Sequence, residues 1–248
     1  PKNSQQIIKH MQQSNITCIS YCSPEYPETL KSIFAPPLLL YVRGDITSAL
    51  DAVCLAVVGT RKTSAYGREM TSKVIAPLCE MGVTILSGLA QGIDTIAHQV
   101  AINNGSKTIA VLASGLESIY PPQNLDLATK IIERGALISE YEPGTKIEKW
   151  NFPARNRIIS ALARGVLIVE GPITSGAMLT AKNAIEQNRE VYAIPGNINN
   201  ENAQGPNHLI KNGAYLVSSA EDLANYLGVE THLSDQLEIL PSLSIDEQ

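Results

Sequence analysis

Three consecutive stretches decide the fold: "VCLAVVGT" (53–60), "SAYGREMTSKVIAPLCEMG" (64–82) and "VTILSG" (83–88). The first and third are short apolar runs without polar alternation, so they read as strands buried on both faces. The middle stretch spaces its apolar residues as a helix does and ends on a glycine, with a kink expected at Pro77. The alternation continues along the chain. "IDTIAHQVAINNG" (93–105) reads as helix and "KTIAVLAS" (107–114) as strand; "NLDLATKIIERG" (124–135) and "ALISEY" (136–141) repeat the pair. "RNRIISALARG" (155–165) with "VLIVEG" (166–171), and "GAMLTAKNAIEQN" (176–188) with "EVYAIPG" (190–196), repeat it again. "NHLIKNGA" (207–214), "YLVSS" and "AEDLANYLG" (220–228) close the pattern. Helices between buried strands make right-handed crossovers, which predicts an α/β fold: a doubly wound, mainly parallel sheet over residues 51–228.

The flanks differ in texture. Residues 1–50 include the Pro-rich "SPEYPETLKSIFAPPLLLYVRGD" and read as an extended strap packed on the sheet edge. Residues 229–248 are acidic and read as a linker or tail toward a further domain absent from this sequence. The opening "PKNSQQIIKH" begins with Pro rather than Met, which suits a piece of a longer protein, and its polarity is unlike a signal peptide. No apolar stretch is long enough for a membrane span. Cys18, Cys22, Cys54 and Cys79 form no CxxC pair, and Cys54 and Cys79 sit in apolar runs as buried thiols. The expected compartment is the cytoplasm.

In an open α/β sheet, ligands bind beyond the carboxyl ends of the strands. Those ends carry "GTRKTS", "SGLAQGID", "SGLESIYPPQN", "EPG" with "FPARNR", "EGPITSGA" and "IPGNINN". Glycine with Ser, Thr or Asn at nearly every one points to anion binding, because bare backbone N–H groups and helix N-termini both favour an oxyanion. The candidates are Gly59, Thr60 and Arg61 in the first loop; Ser87, Gly88 and Gly92 in the second; Arg155, Asn156 and Arg157; and Thr174, Ser175 and Gly176. Guanidinium forks match phosphodiester oxygens. Arg155 and Arg157 stand two apart, so a helix aims them in different directions, and Glu140, Glu142 or Glu170 are alternative partners for Arg157.

Named catalytic motifs are missing: GxxxxGK[ST], GxGxxG and G-x-S-x-G do not occur. Asp94 reads as a helix cap with His98 packed behind it rather than as a metal pair, and no metal or cofactor is expected. Glu170 reads as an anchor for one of the arginines. Trp150 and Phe152 precede the arginines; exposed, they would stack on bases, and buried, they are core, the reading favoured for Phe152 because Pro153 follows it.

Taken together, "VVGTR", "SGLAQGIDTIAH", "VLASGLESIYPPQN", "LISEYEPG", "FPARNRIISALA", "LIVEGPITSGAMLTA", "YAIPGNI" and "GPNHLIKNGA" resemble the DNA-processing protein A family, DprA or Smf. The resemblance runs in order from about residue 25 to 215. It implies an extended Rossmann-like fold and a non-catalytic protein that binds single-stranded DNA as a homodimer. It also implies that the protein loads RecA recombinase onto that DNA in natural transformation, during competence. It places the DNA pocket on Gly59, Thr60, Arg61, Ser87, Gly88, Gly92, Arg155, Asn156 and Arg157. No Lys or Arg appears around "IYPPQN" before Lys130, so the basic surface is thin. Two alternatives stay open: an enzyme of the nucleoside-monophosphate phosphoribohydrolase type with Glu170 as base, although "EGPITSGAMLTA" lacks that group's glutamate, and a sensor of a small nucleotide. Leu209, Ile210, Tyr215 and Leu216 are the expected dimer surface, with core packing an equal explanation.

Overall fold

The computed structural model describes residues 4–229. The chain enters through α1 (Ser4–Gln13), β1 (Thr17–Ser20), α2 (Glu28–Lys31), β2 (Leu39–Gly44) and α3 (Ile46–Leu50). The alternation follows as β3 (Cys54–Val58), α4 (Ala65–Glu80), β4 (Thr84–Ser87), α5 (Ile93–Asn103), β5 (Thr108–Val111), α6 (Leu125–Arg134) and β6 (Ala136–Ser139). It continues as α7 (Asn151–Leu162), β7 (Gly165–Ile168), α8 (Gly176–Glu186), β8 (Glu190–Ala193), α9 (Gln204–Lys211), β9 (Tyr215–Leu216) and α10 (Ala220–Leu227).

The nine strands form one sheet in the order β1-β2-β6-β5-β4-β3-β7-β8-β9. From β6 to β9 every neighbouring pair is parallel, while β1 with β2 and β2 with β6 are antiparallel. The fold is therefore the Rossmann-like, doubly wound sheet the sequence predicts. The segment read as a strap supplies two paired strands to that edge, held where Tyr26 donates to the Pro37 carbonyl at 2.7 Å. Of the stretch read as a tail, 230–248 lies outside the described residues.

Every side chain of β3 to β7 is buried. Period-two geometry divides β3 between two layers. Leu55 and Val57 pack with Val74, Leu78 and Ala97 of α4 and α5 and with Leu223 of α10. Ala56 and Val58 pack with Ile158, Ile159, Ala177 and Ala181 of α7 and α8. Each fully buried Leu or Ile contributes about 1.5–3 kcal/mol relative to exposure.

Two boundaries differ from the sequence reading. Helix α4 runs unbroken through Pro77, which sits in its last turn, so only one intrahelical bond is lost. Helix α7 begins at Asn151 rather than near Arg155, so "FPARNR" is its opening turns and not a loop. Pro153 is tolerated there because the first-turn N–H groups have no intrahelical partner. Asn151 fixes the start by donating Nδ2 to the Ala113 carbonyl at 3.1 Å.

Strand β4 lies on one side of β3 and β7 on the other. The chain leaves β3 for α4 on one face and leaves β7 for α8 on the opposite face. That divergence opens a crevice at the carboxyl ends of β3 and β7.

Candidate functional site

A cavity of about 300 Å³ fills this crevice. One wall is the turn after β3. There the Thr60 N–H donates to the Glu170 carbonyl at 2.7 Å, and Thr60 Oγ1 accepts from the Lys62 N–H at 3.2 Å. This tight turn throws Arg61 outward. Arg61 is exposed, and its guanidinium carbon lies 5.2 Å from the centre of the Phe152 ring. No carboxylate among the described residues forms a salt bridge with it. Phe152, expected as core, is only half-buried and lines the cavity, with its edge set against Tyr120 at 6.0 Å between centroids. Trp150 is exposed.

The floor is Arg155, which is 4% exposed. Its Nη1 donates to the Gly88 carbonyl at 2.8 Å and to the Val111 carbonyl, tying α7 to the ends of β4 and β5. A Cβ on Gly88 would stand 2.2 Å from that nitrogen, so the glycine leaves room for the guanidinium rather than for a ligand. Asp94 completes the arrangement by accepting from the Gly88 N–H at 3.1 Å. Burial pushes the Asp94 carboxyl up, opposed by the Arg155 charge. Burial also pulls Arg155 down to about 10, which leaves it protonated at neutral pH. His98 is driven down to about 3 by burial and then by Arg155. Thr108 Oγ1 donates to the Ile85 carbonyl at 2.7 Å, so it accepts from His98 Nδ1 at 2.7 Å, and the imidazole is the neutral Nδ1–H form. No group of three or more His, Cys, Asp or Glu that could hold a metal occurs among the described residues.

The third wall is the start of α8. Ser175 Oγ is buried there without a hydrogen-bond partner, and Asn156 Nδ2 donates to the Gly176 carbonyl at 3.3 Å. The first-turn N–H groups of a helix lack intrahelical partners and carry its positive end, so this wall is suited to an anion. Thr180, one helical turn beyond Gly176, is buried and also lines the cavity; the sequence reading missed it, and its i, i+4 spacing from Gly176 is the signal that could have found it.

The crevice thus unites Gly59, Thr60, Arg61, Arg155, Asn156, Ser175 and Gly176. Other expected residues stand elsewhere. Ser87 is buried and donates to the Val57 carbonyl at 2.6 Å. Gly92 has φ +91°, and a Cβ there would meet the Thr60 carbonyl at 2.3 Å; it braces the first loop instead of facing the cavity. The Ile93 N–H, at the start of α5, already donates to that carbonyl at 3.2 Å. Thr174 is exposed outside the lining. Arg157 is turned away, as its two-residue offset from Arg155 requires. Its Nη1 and Nη2 reach Glu140 at 2.8 and 2.7 Å, and its Nε donates to the Ala35 carbonyl at 3.1 Å. Glu170 anchors neither arginine. Its carboxylate accepts from the Ser64 N–H at 3.0 Å and from Ser64 Oγ at 2.5 Å, holding the N-cap of α4. The base required by a phosphoribohydrolase reading is therefore 2% exposed and engaged on both oxygens. At the far edge, Leu209 is buried while Tyr215 and Leu216 of β9 are exposed.

The sequence profile of the family described as DNA recombination-mediator protein A matches residues 17–228. The DNA processing protein DprA of Bacillus subtilis is 42% identical over 217 residues, covering 88% of this chain and 73% of that protein. The chain spans 58% of the length of Protein Smf of Synechocystis and 59% of that of Escherichia coli. The solved DNA processing protein A of Streptococcus pneumoniae superposes with a TM-score of 0.83 at 40% identity, over 91% of this chain and 79% of that one. That of Helicobacter pylori, solved for its single-stranded DNA binding mode, gives 0.77 at 30% identity over 86% and 95%. With a family match across nearly the whole described chain and this close agreement of fold, the chain belongs to the DNA recombination-mediator protein A family.

Proposed function

We propose that this chain is a non-catalytic, cytoplasmic binder of single-stranded DNA and that the crevice between β3 and β7 seats its sugar–phosphate backbone. The carrying observation is Arg61: an exposed guanidinium without a carboxylate partner among the described residues, stacked over Phe152 at the mouth of a cavity whose far wall is the start of α8. In this reading Arg61 and the α8 N-terminus take phosphate oxygens, Asn156 and Ser175 supply polar contacts, and Phe152 offers a face to a base. Arg155 contributes positive charge from beneath. The Helicobacter pylori relative, described for its single-stranded DNA binding mode, supports the ligand class. Loading of RecA recombinase during natural transformation is carried over from the family resemblance. The homodimer is assigned to the exposed edge formed by Tyr215 and Leu216, and a monomer by light scattering would remove that assignment.

The test is a salt titration of oligo-dT binding, with duplex DNA and AMP as competitors. Arg61→Ala is expected to weaken binding across all sequences and to reduce the log–log salt slope by about 0.7 for one lost phosphate contact. Equal affinity at every salt concentration would refute the assignment. Tight AMP binding without cleavage would favour a nucleotide sensor.

A further inference from the structure

We infer that a second cavity, across Arg61 from the first, receives a nucleobase of the bound strand and reads its edge through Gln91 and Gln123. This inference rests on the single-stranded DNA reading above. The cavity measures about 410 Å³ and is lined by Arg61, Thr63, Gln91, Thr95, Gln123 and Asn124 together with Gly92, Ile96 and Pro121. Its volume has room for roughly a dozen water-sized groups, enough for a purine.

The chemistry of the lining sets the ligand. Arg61 is its sole ionisable side chain, and it already belongs to the phosphate cavity. A second phosphate seat would need further cations, whereas carboxamides recognise uncharged edges that present a donor beside an acceptor. Gln91 and Gln123 are exposed, and neither side chain has a hydrogen-bond partner among the described residues. The wall behind them is fixed. Asn124 Nδ2 donates to the Leu89 carbonyl at 2.9 Å and to Thr95 Oγ1 at 2.8 Å, and Thr95 Oγ1 donates to the Ala90 carbonyl at 2.6 Å. Asn124 Nδ2 and Thr95 Oγ1 are thus engaged within the wall, which leaves the two glutamine amides as exposed, uncharged donor–acceptor groups beside Arg61. Because both cavities share Arg61, a strand held there by one phosphate brings the attached nucleotide to this second wall.

The experiment measures fluorescence anisotropy with oligo-dA, oligo-dC and oligo-dT of equal length, and with an abasic-spacer strand of that length, at one salt concentration. Stacking tolerates any base, but amide readout does not. The parent is expected to separate its tightest and weakest homopolymers by about 5-fold or more, the lower end for one good bidentate amide contact. The Gln91→Leu/Gln123→Leu variant is expected to draw them together to within about 2-fold while its affinity for the abasic strand is unchanged. Three results would overturn the inference: no spread in the parent, the same spread in the variant, or equal weakening on the abasic strand. Arg61→Ala, run in parallel, separates the two levels. If it binds all strands as the parent does, the phosphate seat itself is wrong and the base cavity falls with it.

Discussion

Replacing Arg155 tests whether the guanidinium beneath the crevice is a structural pin. Arg155→Met keeps most of the side-chain volume and removes the charge. Two carbonyls, those of Gly88 and Val111, lose their donor, and Asp94 keeps its buried carboxyl without a cation nearby. Leaving two buried carbonyls without their charged donor, and a buried carboxyl without the charge that favours its ionised form, is expected to cost about 3–5 kcal/mol, the range for breaking a buried charged contact. In a domain of this size each kcal/mol moves the melting temperature by about 2–4 °C, so a fall of about 6–20 °C is expected. Thermal and urea denaturation measure it directly. Adding Asp94→Asn is expected to restore part of the loss, since the stranded charge is then gone, and the double-mutant cycle reports the coupling. Arg61→Ala is the contrast. It removes an exposed side chain, so stability stays within about 0.5 kcal/mol while the salt slope of DNA binding falls. A melting temperature for Arg155→Met equal to the parent's would refute the reasoning, as would a loss confined to the salt slope.

Three further perturbations probe the same framework. Gly92→Ala places a Cβ 2.3 Å from the Thr60 carbonyl at a φ of +91°, so it is expected to cost about 1–3 kcal/mol in urea denaturation and to weaken oligo-dT binding by shifting the Arg61 backbone. Gly176→Ala, where a Cβ meets nothing within 4 Å, is expected to leave stability near that of the parent. His98 governs an acid response. Its folded pKa is depressed to about 3 from 6.5, so between those values the unfolded chain binds a proton that the folded chain refuses. The stability it contributes is present above about pH 6.5 and is lost as the pH falls toward 3, and His98→Asn is expected to flatten that slope in denaturation midpoints.

The sheet was legible because a strand covered on both faces shows an unbroken apolar run, and β3 to β7 are all of that kind. Strand β2, next to the edge, was harder to read. Its "LLYVRG" carries the burial of a strand paired on both sides, but the prolines just upstream hid it inside a segment that looked extended. The start of α7 escaped for a local reason: Trp150 is its N-cap and makes no side-chain cap bond, so no Ser, Thr or Asp marks the boundary. The opposite orientations of Arg155 and Arg157 were legible from their spacing alone. Which glycine loops stand open was not, because "SGLAQGID" and "EGPITSGA" have the same composition logic. The difference is that Arg155, 67 residues from Gly88 in sequence, fills the first from inside. Periodicity does not encode a contact at that separation.

Charge sets how much one crevice can hold. Glu230, Asp235, Glu238, Asp246 and Glu247 carry as much negative charge as the whole net −5, so residues 1–229 are neutral overall and offer no general repulsion to a polyanion. They offer no general attraction either. Within the site, Arg155 is buried and its Nη1 is engaged by two carbonyls, which leaves Arg61 and the partial charge of about half a unit at the start of α8 as the exposed field a phosphate meets. On the proposed reading, each chain therefore neutralises only one or two phosphates, and a contact of that size is weak at physiological salt. If the chain pairs as proposed, retention of a strand would draw on terms that salt does not screen, stacking on Phe152 and the neighbouring polar cavity, and on the second copy's site engaging the same strand. Linking two such sites raises the effective local concentration without any new contact. The exposed Tyr215 and Leu216 lie at the opposite end of the strand order from β1, beyond β8, where a partner can add to the sheet without covering the crevice between β3 and β7.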